Sequence, residues 1–348
     1  SGAVRILSDR LGRNSHLRTL VRRMMRKRGD LSVRPLVDDS KAGKHKGLLK
    51  VRQPLRQIQG HRLLAIRRAQ KDRVLNTVVH LDPEIALPKV RAALGTHTQP
   101  ALEELLTEIA RQALEVRLLP VVEADVRLEL KERGDHEALR FLSQHLRQIL
   151  LTPPFGHRPV AGVDVNAKGD WTIAFLDEDG KALAVERVET GEKEAAALGT
   201  ELAALFDAHR PMLIAAGHGK GPRAGVAKMR AALREAGREE VVTVTNEAGL
   251  SSYANSELAR TELPETTVPQ RMAISLGRRL QDPLAEILKV EPRHLGLGAE
   301  QGLVSKANAR RIFRETIESC VAHVGCEVNR APRPVSYTHL RAHETYEG

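Results

Sequence analysis

Aromatic residues and cysteines are scarce in this chain of 348 residues. Phe, Trp and Tyr make up 3% of it, and two of the three tyrosines, Tyr337 and Tyr346, lie close to its end. Single-stranded nucleic acid is commonly bound by stacking its bases on aromatic side chains, so this chain has few residues for that mode of binding. The cysteines, Cys320 and Cys326, fit neither a disulfide framework nor a four-ligand zinc site, and they favour a reducing cytoplasm.

Long apolar runs are also missing. No stretch approaches the about 18 apolar residues of a membrane-spanning helix, and residues 1–10 lack the apolar core of a signal peptide. We therefore expect a cytoplasmic protein without a membrane partner. Apolar residues still make up 41% of the chain, enough to bury a core, and its length predicts roughly two domains of about 150 residues.

Positive charge is concentrated near the N-terminus. Residues 1–75 contain 21 Lys and Arg against 5 Asp and Glu, whereas the whole chain has a formal net charge of +11. This asymmetry predicts a surface that contacts a polyanion such as RNA or DNA through its backbone. A solvated basic face without a ligand is the alternative that the composition leaves open.

Residues 1–156 are predicted to be mainly helical. Residues 1–28 form a basic helical region, a short helix begins near Gln59, and residues 76–81 form a strand. Apolar residues recur at helical spacing from about 98 to 151, where Gly134 and Asp135 are expected to separate two helices. The segment TPPFG at 152–156 predicts a domain boundary.

After this boundary the sequence pattern predicts strands and helices in alternation. Strands are predicted at 160–165, 171–176, 182–188, 212–217 and 241–245, with helices at 193–209 and 224–236. The order β-β-β-α-β-α-β-α predicts a ribonuclease-H-like α/β fold. Residues 267–325 return to helix, where Asp282 is the predicted N-cap of a helix that starts at Pro283.

Several motifs resemble the Tex family of bacterial transcription accessory proteins. They are GRRLQDPLAEILKVEP at 277–292, NEAGLSSY at 246–253, the stretch 54–66, and LRQILL with the following Pro-Pro at 146–154. The motifs occur in the order in which the family has them. The resemblance implies mixed α and α/β architecture, with a helical N-terminal region at 1–156, a YqgF or ribonuclease-H-like domain at 157–258 and a helical connector at 259–334.

The same resemblance implies a divergent and truncated member. The family's nucleic-acid-binding helix-hairpin-helix and S1 domains would follow residue 334, and several stretches differ from the family pattern, among them residues 299–304. Residues 335–348 resemble a translated sequencing adapter, so we expect them to be an artefact rather than part of the natural protein.

The carboxylates of the predicted ribonuclease-H-like domain are too few for a nuclease of that type. Such an enzyme places three or four carboxylates around two divalent metals. Asp164 on the first strand and Glu247 after the last are weak catalytic candidates, and no third carboxylate is placed beside them. The structural interpretation is that Asp164 caps a turn and Glu247 caps a helix.

Four groups of cations are predicted to contact phosphate. The glycine-rich turn at 217–221 contributes to one of them, because a strand-to-helix turn of this kind can bind an anion. Arg278 and Arg279 have salt bridges to Glu286 and Asp282 as an alternative. His61 is expected to be a structural histidine. The full set is Arg22, Arg23, Arg26, Lys27 and Arg28; Lys44, Lys46 and Lys50; Lys220 and Arg223; and Arg278 and Arg279.

The sequence therefore predicts a nucleic-acid-associated transcription accessory protein without catalytic activity. No cofactor or metal site is indicated, and the transcription machinery is a possible partner. Two alternatives stay open, a metal-dependent ribonuclease-H-like nuclease and a protein-docking scaffold of the transcription machinery.

Overall fold

The structure is a computed structural model that describes residues 2–95 and 99–325. Cys326 and the suspected adapter segment 335–348 lie outside the described residues. The chain divides into two compact units. Unit 1 extends through Phe141 and includes Ala299–Lys306, and unit 2 comprises Leu142–Gly298 and the chain from Ala307. The domain bounds predicted at 156, 258 and 334 stay predictions.

Unit 1 combines helices with a small antiparallel sheet of order β2-β1-β3. The sequence predicted only β3 of these strands, because β1 and β2 contain charged residues and proline where β3 has the β-branched pair Val78 and Val79. Its helices are α1 (Gly2–Gly12), α2 (Ser15–Arg28), α3 (Gly60–Lys71), α4 (Pro83–Ala92), α5 (Pro100–Ala113) and α6 (Leu119–Leu150), whose residues from Leu142 belong to unit 2; its strands are β1 (Asp30–Pro35), β2 (Arg52–Pro54) and β3 (Leu75–His80).

The helix break predicted at Gly134 and Asp135 is wrong, because α6 continues through both residues. Gly134 serves close packing instead. A Cβ at this position would lie 2.6 Å from Cδ of Arg67. The Arg67 guanidinium passes this point and donates hydrogen bonds to Asp135 at 2.6 Å and to the Leu303 carbonyl at 2.9 Å. A glycine inside a helix costs only about 1 kcal/mol, which these contacts offset.

Unit 2 contains a five-stranded mixed sheet of order β6-β5-β4-β7-β8. β4 pairs antiparallel with β5 and parallel with β7, which is the ribonuclease-H-like arrangement. All five predicted strands and both intervening helices are confirmed. The elements are β4 (Val160–Val165), β5 (Trp171–Leu176), β6 (Ala182–Val188), α7 (Ala195–His209), β7 (Leu213–Ala216), α8 (Lys220–Glu235) and β8 (Val242–Val244), followed by α9 (Leu250–Ala254), α10 (Glu257–Glu262), α11 (Val268–Gln281), α12 (Pro283–Ile287) and α13 (Lys306–Val324).

Helices cover both faces of this sheet. On one face Trp171, Ile173 and Phe175 of β5 pack against apolar residues of α7 and α8. On the other, Val160, Ala174 and Leu176 pack against Ala273 and Ile274 of α11. The Asp282 carboxylate accepts from the Ala285 amide at 3.0 Å, so the predicted cap of α12 is confirmed.

The backbones of α11 and β4 meet at two glycines. A Cβ on Gly162 would stand against the Ala273 carbonyl oxygen and 2.6 Å from the Gly277 nitrogen. A Cβ on Gly277 would lie 2.5 Å from Cδ1 of Leu176. Since backbone atoms fill the space at Gly162, no side-chain rotation can make room for a larger residue there.

We expect Gly162→Ala to destabilise unit 2, because the added methyl group forces α11 away from the sheet. Overpacking of this kind costs about 1–3 kcal/mol, equivalent to a fall in Tm of about 2–10 °C for a unit of this size. Thermal unfolding and hydrogen exchange of the β4 amides would measure it. Gly47→Ala is the control, since a Cβ at Gly47 meets nothing within 4 Å. Equal melting temperatures for the two variants would contradict the packing argument.

Candidate functional site

The carboxyl ends of β4, β7 and β8 meet at one edge of the unit 2 sheet. Val163 pairs with Ala216 of β7, and Ala216 pairs with Val244 of β8. Asp164 follows Val163 on β4 and is 9% exposed. The segments that follow β7 and β8 bring His218 and Glu247 to the same edge. The structure therefore places together the two carboxylates that the sequence singled out.

The segment carrying Glu247 is held by hydrogen bonds from two directions. The Glu247 amide donates to Nδ1 of His218 at 3.3 Å. In addition, Nη1 of Arg279 donates to the carbonyl oxygens of Asn246 and Ala248 at 2.7 and 2.8 Å. Burial lowers the pKa of the Arg279 guanidinium, and nearby Glu286 opposes this effect.

Arg279 is therefore a correction to the predicted phosphate-contacting set. Arg279 is only 2% exposed, so its guanidinium cannot reach a ligand in solution. Arg278 is also used inside the fold. Its Nε donates to the Gly180 carbonyl at 2.8 Å, and Nη1 lies 3.7 Å from Glu262. Salt-bridged packing was the open alternative for these two arginines, and for Arg278 the partner is Glu262 rather than Glu286 or Asp282.

Asp164 is protonated more readily than an ordinary aspartate. Burial, and then the negative charge of Glu247, raise the pKa of Asp164 from 3.8 to about 6. No hydrogen bond or ion pair joins the Asp164 carboxylate to any residue that the structure describes. Neither Asp164 nor Glu247 accepts a capping hydrogen bond from the described backbone, so the interpretation of both as caps is wrong.

This pair of carboxylates is smaller than the set that two-metal hydrolysis needs. Within residues 2–95 and 99–325, no group of three or more His, Cys, Asp or Glu is placed to hold a metal ion. Asp164 and Glu247 together provide a negative, partly desolvated edge, at which the Asp164 carboxyl has a pKa of about 6.

The glycine-rich turn leads directly into α8, whose N-cap is Gly219 without a side-chain capping bond. Arg223 is exposed, and its Nε donates to the His218 carbonyl at 3.0 Å. The Lys220 side chain lies outside what the structure describes. Anion binding at this turn stays a prediction.

The basic run of α2 is partly neutralised within unit 1. Arg18 donates to Asp125 of α6 at 2.6 Å, Arg22 contacts the same carboxylate, and Arg26 pairs with Glu129. Hydrogen bonds from Arg18 and Arg22 hold the pKa of Asp125 below its usual value against the effect of burial. Arg22 and Arg26 are thus engaged in packing α2 against α6, which the sequence did not predict.

Other predicted cations remain available on the surface of unit 1. They are exposed and form no ion pair with another residue described by the structure: Arg23, Lys27, Arg28, Lys46 and Lys50. Lys44 is 76% exposed on its side chain, with its Nζ 3.5 Å from Asp72. His45 anchors this segment, because its buried ring bonds Asp72 at 2.8 Å.

Two domain models of one protein family match most of the chain. The Tex central region-like model matches residues 1–142, and the Tex protein YqgF-like domain model matches residues 158–281. The chain belongs to the Tex family. The strand order of unit 2 agrees with the second match.

Individual relatives agree with this membership. Protein tex of Bordetella pertussis is 33% identical over 297 residues, covering 80% of this chain and 37% of the relative. Transcriptional accessory protein Tex of Neisseria gonorrhoeae is 29% identical over 299 residues, 82% of this chain and 38% of the relative. S1 RNA-binding domain-containing protein 1 of Homo sapiens is 28% identical over 288 residues, which cover 79% of this chain and 28% of the relative. This Tex-family chain spans less than half of each relative.

None of the described helices combines the length and apolar character needed to cross a membrane.

Asp164→Asn should stabilise the protein above pH 6. Because the folded-state pKa of Asp164 is raised from 3.8 to about 6, its stabilising contribution is complete below pH 3.8 and is lost as pH rises through 6. Removing the charge should raise the free energy of unfolding by at most about 3 kcal/mol at pH 7 and should leave it unchanged at pH 3.5. Urea unfolding between pH 3.5 and 8 would measure this difference.

The exposed Asp39→Asn is the matched control, with no expected change in stability across the same range. A further variant separates the two causes. Glu247→Gln should lower the Asp164 pKa only in part, since burial is the larger cause, and an NMR titration of the carboxyl carbon would show it. An Asp164 that titrates near 4 in the unaltered chain would refute the assignment.

Proposed function

We propose that this Tex-family chain is a nucleic-acid-associated transcription accessory protein that binds RNA or DNA backbones through unit 1. The observation that carries the proposal is the division of the N-terminal cations into two sets. Arg22 and Arg26 pair with carboxylates of α6, whereas Lys46 and Lys50 are exposed and form no ion pair among the described residues. Attraction of such cations to phosphate is independent of sequence and sensitive to salt.

The names of two relatives support this proposal. One is a transcriptional accessory protein and another carries an S1 RNA-binding domain. We infer that this chain acts in the bacterial cytoplasm beside the transcription machinery. We also infer that its ribonuclease-H-like domain acts without catalysis, because Asp164 and Glu247 stand without a third carboxylate among the described residues.

A metal-dependent nuclease is the second candidate function, and one observation favours it. Asp164, whose pKa is raised to about 6 by burial and then by the charge of Glu247, lies near that second carboxylate, and together they concentrate negative charge where a divalent cation would be attracted. This candidate differs from the first in predicting cleavage of the bound strand.

Binding should weaken steeply with salt and should depend on unit 1. Fluorescence anisotropy with labelled single-stranded RNA and duplex DNA, from 50 to 200 mM salt, gives the slope of log K against log salt. Lys46→Gln with Lys50→Gln should reduce the slope by about 1.4 for single strands, since each phosphate contact contributes about 0.7. Arg310→Gln with Arg314→Gln, an equal charge change at exposed positions of α13, should leave it nearly unchanged.

The absence of binding by the unaltered chain at 50 mM salt would refute the proposed function and favour a protein-docking scaffold. Substitutions suit this test better than removal of residues 1–75, because β1 pairs along the whole of β3 and its loss would disrupt unit 1.

Incubation with Mg²⁺ or Mn²⁺ should leave both nucleic acids intact. Gel analysis of labelled strands over several hours would measure cleavage, and Asp164→Asn is the control for contaminating nuclease. Cleavage that the unaltered chain performs and Asp164→Asn abolishes would establish the nuclease in place of the non-catalytic role.

A further inference from the structure

A groove in unit 1 lies between the turn at 43–48 and helix α3. Its volume is about 490 Å³. Cationic and imidazole side chains dominate its walls, namely Lys44 and His45 from the turn and His61, Arg62 and Arg68 from α3. Gly47, Leu48, Ala65 and Ala299 complete the lining, which contains no Asp or Glu.

The walls of the groove are held in place from outside it. The His45 ring bonds the Asp72 carboxylate, which fixes the turn to the end of α3. Hydrogen bonding from His45, assisted by Lys44, keeps the pKa of Asp72 below its ordinary value. Arg68 is anchored by Glu300 at 3.1 Å. These contacts set the positions of the His45 ring and the Arg68 guanidinium before any ligand arrives, which reduces the entropy lost on binding.

Positive charge remains available inside the groove. Arg62 is exposed and forms no ion pair or hydrogen bond within the part of the chain that the structure describes. Lys44 has a side chain that is 76% exposed and only a 3.5 Å contact with Asp72. His61 is also exposed and has no hydrogen-bond partner among described residues, so its expected role as a structural histidine is wrong.

Two other clefts of unit 1 are less suited to an anion. The cleft beside α2 and α6, of about 220 Å³, includes Glu129 in its lining. The cleft along β3, of about 470 Å³, is more apolar, since its lining includes Leu31, Leu63, Ile66, Leu130 and Leu303. Of its cations, Arg67 is engaged by Asp135 and Arg127 by Glu123, whereas Lys71 and Lys131 form no ion pair among the described residues. The exposed Arg23 and Lys27 lie on the outer surface of a helix and line none of these three clefts. Cations that converge on a concave surface produce a stronger local field than the same charges on a convex one.

We propose that the groove lined by Lys44, Arg62 and Arg68 binds the phosphodiester backbone of nucleic acid. This inference rests on the proposed function and specifies where the backbone is bound. No Phe, Tyr or Trp lines the groove, so it offers neither a stacking platform for bases nor an aromatic anchor for a peptide. We expect contacts to phosphate without sequence preference.

The test compares two double variants of the full chain that remove the same charge. Lys44→Gln with Arg62→Gln alters the groove, and Arg23→Gln with Lys27→Gln alters the outer face of α2. Binding is measured by anisotropy with a 12-nucleotide single-stranded RNA and a 12-base-pair duplex DNA, each from 50 to 200 mM salt. Polyglutamate serves as a competitor without phosphate.

The groove variant should bind at least tenfold more weakly at 100 mM salt. Its salt slope should fall by about 1.4 with RNA or about 1.8 with duplex DNA, as expected for two lost phosphate contacts. The α2 variant should stay within about twofold of the unaltered chain. A loss confined to one polymer identifies which of the two occupies the groove. The single variant Arg62→Lys should keep most of the affinity that Arg62→Gln loses if position 62 contributes charge. Equal melting temperatures of the variants and the unaltered chain show that folding is intact.

Equal losses in both double variants, or a larger loss in the α2 variant, would overturn the inference while leaving the proposed function in place. A groove variant that binds both nucleic acids normally, but from which polyglutamate no longer displaces them, would also overturn the inference. The groove would then bind an acidic protein segment. If the unaltered chain binds neither polymer, the proposed function itself fails.

Discussion

The backbone contact between β4 and α11 is the constraint on which the candidate site of unit 2 depends. Gly162 lies in the central strand of the sheet, and the Ala273 carbonyl and the Gly277 nitrogen occupy the space that a side chain would need. Because the helix lies this close, Arg279, two residues beyond Gly277, reaches the carbonyls of Asn246 and Ala248. A wider separation would withdraw the guanidinium from the segment that carries Glu247.

Burial of the Arg279 charge has a cost that the surrounding groups must offset. Besides its two carbonyl acceptors, the guanidinium has the buried Glu286 nearby, whose carboxylate lies 2.8 Å from Lys289. Lys289 in turn reaches Glu262, which accepts from the Tyr253 hydroxyl at 2.6 Å. The stretch at 277–292 that most resembles the Tex family therefore places several buried charged groups in and around the contact with the Glu247 segment. Buried Arg279 stabilises this part of the fold, and Arg278 contacts Gly180 and Glu262.

In unit 1 the number of charged residues does not predict which cations stay exposed on the surface. The N-terminal residues carry many more cations than anions, yet Asp125 and Glu129 come from a helix about 100 positions away and neutralise the inner face of α2. What remains is distributed between a convex helix face and the groove beside α3. Packing rather than composition decides which cations face solvent, and curvature decides which of them act together.

The order and type of the strands and helices of unit 2 could be predicted from local sequence patterns. Its strands are short apolar runs bounded by turn residues, and local patterns of this kind specify element type and order, as they also specified the cap at Asp282. Of the small sheet of unit 1 only β3 was predicted, because the charged residues and prolines of β1 and β2 do not form the local pattern of a strand. The continuity of α6 was also not predicted, because Gly134 gives room to the Arg67 side chain and does not end a helix. The proximity of Asp164 and Glu247 could be anticipated, since Asp164 lies near the end of the first strand and Glu247 follows the last strand of one sheet. The burial of Arg279, the neutralisation of Arg22 and Arg26 and the convergence of Lys44 with Arg62 were decided only by the tertiary structure, because each depends on residues that are distant in sequence and adjacent only after folding.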